Sequence, residues 1–63
     1  MISLHDTNGE EFLLNEDCID AVFKAKKGNG SCLYSTIDPG ACWEVAESIA
    51  EVKQIINDAM YGI

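Results

Sequence analysis

Arginine is absent from this 63-residue chain, and lysine occurs only at Lys24, Lys26, Lys27 and Lys53. Eleven acidic residues leave a net charge of −7. Nucleic acid and anionic lipid bind surfaces with a surplus of Lys and Arg, so neither is expected as the main partner. Histidine occurs once, as His5, and the three cysteines Cys18, Cys32 and Cys42 show no Cys-x-x-Cys spacing. That set offers no metal-ligand pattern, and no cofactor is expected. No apolar run approaches the ~20 residues a membrane helix requires. The opening Met1-Ile2-Ser3-Leu4-His5-Asp6 lacks the apolar segment of a leader peptide. These absences predict a single domain with reduced thiols and no membrane insertion, placed in the cytoplasm. A domain this short has a core that rarely supplies more than ~3–5 kcal/mol, which makes a homo-oligomer the natural source of extra stability.

Three glycine-closed triplets punctuate the chain: Thr7-Asn8-Gly9, Gly28-Asn29-Gly30 and Asp38-Pro39-Gly40. Each lies between short segments that alternate apolar and polar residues, the mark of a hairpin. The apolar pattern chooses the first turn. A three-residue Thr7-Asn8-Gly9 loop sets Leu4 opposite Phe12 and Ile2 opposite Leu14, all on one face. That geometry is a type I turn followed by Gly9 in the left-handed conformation of a bulge. A short Glu16-Asp17 connection then aligns Leu14 with Ile19. A Gly28-Asn29-Gly30 loop sets Ala25 opposite Leu33, and an Asp38-Pro39-Gly40 loop sets Ile37 opposite Ala41 and Leu33 opposite Val45. The predicted buried face is Ile2, Leu4, Phe12, Leu14, Ile19, Ala21, Phe23, Ala25, Leu33, Ile37, Trp43 and Val45.

One helix signal follows. Ser48-Ile49-Ala50-Glu51 is a Ser-x-x-Glu capping box opening a stretch from about Ile49 to Met60. Ile49, Val52, Ile55, Ile56 and Ala59 fall on one stripe at three- and four-residue spacings, and Gly62 is a natural stop. The chain therefore reads as α+β: residues 1–46 form a small antiparallel meander of about five strands. One face of it is covered by a single C-terminal helix over 48–60.

The residues Met1-Ile2-x-Leu4, Thr7-Asn8-Gly9-x-x-Phe12-x-Leu14-Asn15, Ile19 and Val45-x-Glu47-Ser48-x-x-Glu51-Val52 resemble the short flagellar and swarming-motility proteins of the FlbD type. The similarity runs from Met1 to Ile56. It implies a cytoplasmic accessory protein without catalytic residues, acting through the flagellar motor or its regulation. It transfers no functional residue, because the matching positions are structural. The three cysteines, Trp43, the acidic balance and Asp38-Pro39-Gly40 in place of a second Asn-Gly turn depart from that family.

On the predicted outer face, Leu13, Val22, Cys32, Tyr34 and Cys42 are more apolar than solvent exposure selects, and they are the candidate interface. No nucleophile, base and orienting group can be assembled, since His5 is the sole candidate base, so an enzyme is not expected. Glu10 with Glu11, and Glu16 with Asp17, sit at turn edges as solvated charges. The alternative function is a small acidic regulator that docks on a basic surface of an unidentified protein partner.

Overall fold

A computed structural model describes residues 1–38 and 40–61 of the chain. It contains five antiparallel strands in two sheets and one C-terminal helix. Strands β1 (Ile2–His5) and β2 (Glu11–Leu14) form the first sheet. Strands β3 (Ile19–Lys24), β4 (Ser31–Ser35) and β5 (Cys42–Val45) form the second. A 3₁₀ turn over Glu16–Cys18 joins the two, and helix α1 spans Ile49–Tyr61.

The first hairpin keeps the expected register, with Ile2 opposite Leu14 and Leu4 opposite Phe12. Asp6 accepts from the Gly9 amide at 3.0 Å, and Gly9 takes φ +86°. The Asp6 carboxylate accepts further bonds from the Asn8 and Glu10 amides at 2.8 and 3.0 Å. Asp6 thus organises the turn with both its backbone and its side chain.

After β2 the chain departs from a single continuous meander. The Asn15 side chain accepts from the Asp17 amide at 3.0 Å and starts the 3₁₀ turn. That turn carries the chain away, so Leu14 does not pair with Ile19 and β3 starts a new sheet. The sheets are tied elsewhere. Asp6 bridges antiparallel to Val45, and the Ala46 amide donates to the His5 carbonyl at 2.8 Å. This bridge lies one residue past β1 and at the last residue of β5, so the two sheets meet at a corner.

The second hairpin differs from expectation by three positions. Val22 lies opposite Leu33 and Phe23 opposite Cys32, closed by a bond of 3.0 Å from the Ala25 amide to the Gly30 carbonyl. The loop is therefore the four residues Lys26-Lys27-Gly28-Asn29, and Gly28 supplies the positive φ of 75°. Gly30 has a different task. A Cβ there would lie 2.2 Å from the Val45 carbonyl oxygen, so only glycine lets β4 enter beside β5.

A bulge between Ile19 and Ala21 accompanies this shift. Strict alternation would turn Ile19, Ala21 and Phe23 the same way. The extra residue inverts the parity, so Ile19 and Val22 both pack on the core and Phe23 turns outward with 57% of its surface exposed. Val22, expected on the outer face, is thus an inner residue. The third hairpin shifts by two positions, pairing Leu33 with Trp43 and Ser31 with Val45, and an even shift preserves the face. Ser35 Oγ accepts from the Ile37 and Asp38 amides, which loops the chain out and leaves Ile37 74% exposed rather than buried. Pro39, within the expected turn, and Gly62, the expected helix stop, lie outside the described residues.

Ile2, Leu4, Leu14, Leu33, Val45 and Val52 are buried, with Phe12, Ile19, Val22, Trp43, Ile55 and Ile56 packed around them. Helix α1 contributes Val52 and lies against β1 and β3. Ile49 and Ala59, at the ends of the expected stripe, are exposed.

Candidate interaction surface

The outer face of the three-stranded sheet follows from the register. Ala21 and Phe23 of β3, Cys32 and Tyr34 of β4, and Cys42 and Glu44 of β5 share it. Phe23 and Tyr34 are diagonal neighbours across β3 and β4, and their rings meet edge to face at 5.3 Å and 89°. Both remain exposed, Tyr34 by 37%. Beside them a concavity open to solvent is lined by Asp20, Ala21, Phe23, Tyr34, Ser35 and Thr36.

Of the five candidate interface residues, the structure brings three together. Cys32, Tyr34 and Cys42 share this face, with Tyr34 directly opposite Cys42. Leu13 is exposed on the other sheet, opposite Ser3, and Val22 points inward. Phe23 is the member that sequence reading missed. The continuous apolar run Ala21-Val22-Phe23 fits either face, and only the bulge decides between them.

Cys18, Cys32 and Cys42 are all free thiols. Burial pushes the Cys32 thiol above its ordinary range, and the neighbouring Glu44 and Cys42 push the same way against Lys26. A thiol held protonated is a weak nucleophile.

A second polar cluster holds the place where the two sheets join. The Glu47 carboxylate accepts the His5 amide at 2.9 Å and lies 2.6 Å from His5 Nδ1. Ser31 Oγ, fully buried, donates to the Glu47 carbonyl at 2.8 Å. Serine, histidine and carboxylate meet here without forming a nucleophilic relay, because the serine proton is committed to a backbone carbonyl. The bond to Glu47 raises the His5 pKa above 6.5, outweighing desolvation. Partial burial pushes the Glu47 carboxyl up, but the His5 amide and ring overcome it and hold the group below its ordinary value of 4.5. His5 and Glu47 stand 42 residues apart, so nothing local in the sequence announced the pair.

Among the described residues no group of three or more His, Cys, Asp or Glu side chains is arranged to hold a metal ion. No helix among them is long and apolar enough to cross a membrane. Comparison with known protein families, with curated proteins and with solved structures finds no match.

Proposed function

We propose that the protein is a non-enzymatic interaction protein that works as a homo-oligomer, with its contact on the β3 side of the three-stranded sheet. The observation that carries this reading is the exposed Phe23–Tyr34 pair. An edge-to-face aromatic pair is a rigid apolar platform, and aromatic residues dominate the energetics of protein contacts. The hydrophobic core lies on the opposite side of the sheet, so these rings are not needed to build it. The resemblance to FlbD-type proteins agrees with an accessory role in motility. The free thiols agree with a cytoplasmic setting.

Molar mass in solution tests the proposal. The wild-type protein is expected to sediment above its monomer mass of 6.9 kDa. Phe23→Ser or Tyr34→Glu is expected to shift it toward monomer while the melting curve stays cooperative. An assembly unmoved by both changes would place the contact elsewhere. A strict monomer that binds basic proteins would favour the acidic regulator instead.

A further inference from the structure

Strand β3 is the longest in the protein and has one strand partner, β4. Its other side is the border of the sheet. Antiparallel ladders alternate between hydrogen-bonded and non-bonded positions. The bond from Ala25 to Gly30 marks one bonded position, so Phe23–Cys32 is bonded, and Val22–Leu33 and Lys24–Ser31 are not. The amide and carbonyl groups of Val22 and Lys24 therefore point away from β4, toward the open border. Among the described residues, no turn or loop bond reaches either residue.

Charge along this border is ordered. Asp20 is exposed at one end and Lys24 at the other, with Val22 midway between them. We propose that β3 pairs antiparallel with β3 of a second copy of this chain, about a twofold axis through Val22. This inference rests on the interaction reading above and gives it a geometry. In that register Val22 meets its own symmetry mate, and Asp20 of each copy lies across from Lys24 of the other. Phe23 lies across from Ala21, so the two Phe23–Tyr34 pairs join one six-stranded outer face.

Two features favour this arrangement over its competitors. A register centred on Phe23 would set Lys24 against Val22 and place Asp20 across from Lys26, which lies beyond β3 in the hairpin loop. Stacking two outer faces would press Glu44-bearing surfaces of chains carrying −7 each against one another, whereas a border contact keeps most of that charge apart. The contact is isologous, so each copy uses its β3 border once and the assembly closes as a pair.

Sedimentation velocity under reducing conditions, on the full chain, tests the register by charge exchange. Asp20→Lys and Lys24→Asp should each weaken the dimer roughly tenfold or more, because each places two like-charge pairs at the contact. The double variant Asp20→Lys/Lys24→Asp should restore wild-type affinity. Both positions are exposed, so circular dichroism spectra should stay unchanged and certify the fold, while the melting temperature falls only as far as the dimer is lost. A dimer indifferent to the single exchanges, yet lost in Phe23→Ser, overturns the border register and leaves the interaction reading standing. A double variant as weak as the singles overturns the register as well. A wild-type chain that stays monomeric at every concentration overturns both.

Discussion

Two glycines illustrate how one residue type meets two different demands. Gly9 has nothing within 4 Å of where a side chain would start, yet its φ is +86°. Gly9→Val should therefore lose about 1–2 kcal/mol through backbone strain alone. Gly9→Asn should lose less, because asparagine tolerates that conformation. Gly30 is the reverse: its obstacle is the Val45 carbonyl, 2.2 Å from a built Cβ. Gly30→Ala and Gly30→Asn should both cost about 1–3 kcal/mol, since the clash begins at the first carbon. Chemical denaturation of the four variants checks this, and an asparagine that rescues position 30 as it does position 9 would contradict the account. The sequence marked both glycines as turn residues. Only the position of β5 beside β4 separates their roles.

At the scale of elements, the helix start is the part read most completely from local sequence. The Glu51 amide donates to Ser48 Oγ at 3.2 Å, and the Ser48 amide donates to Glu51 Oε1 at 3.0 Å. Both halves of the capping box are made. Ser48→Ala should cost about 1 kcal/mol, read as a fall of roughly 4–8 °C in melting temperature for a domain of this size. Ser48→Asp should keep most of the stability, because aspartate caps equally well. An unchanged melting temperature in Ser48→Ala would show that the cap is dispensable. The first hairpin was equally legible, because its loop and its apolar pairs agree on one register. The second was not. Lys26-Lys27-Gly28-Asn29-Gly30 accommodates two loop lengths, and Ala21-Val22-Phe23 has no polar residue to break the tie between faces.

For the molecule as a whole, the clamp of Glu47 on His5 links β1 to the approach of the helix. It makes stability depend on pH with a definite sign. The raised His5 pKa contributes stability that is complete below 6.5 and lost as pH rises through the folded-state value. The depressed Glu47 pKa contributes stability that is present above 4.5 and lost as pH falls through its folded-state value. The difference in melting temperature between wild type and Glu47→Gln should therefore be widest between about pH 4.5 and 6.5. It should narrow on either side, and a difference independent of pH would remove the ion pair from the account. By itself the sequence determined the elements with local causes: the Gly9 turn, the β1–β2 register, the capped helix and the α+β class. Those rest on bonds and conformations spanning a few residues. Only tertiary structure decided the split into two sheets, the outward turn of Phe23, the inward turn of Val22 and the meeting of His5 with Glu47. Each depends on which distant strand lies alongside, a choice made by the packing of the whole core.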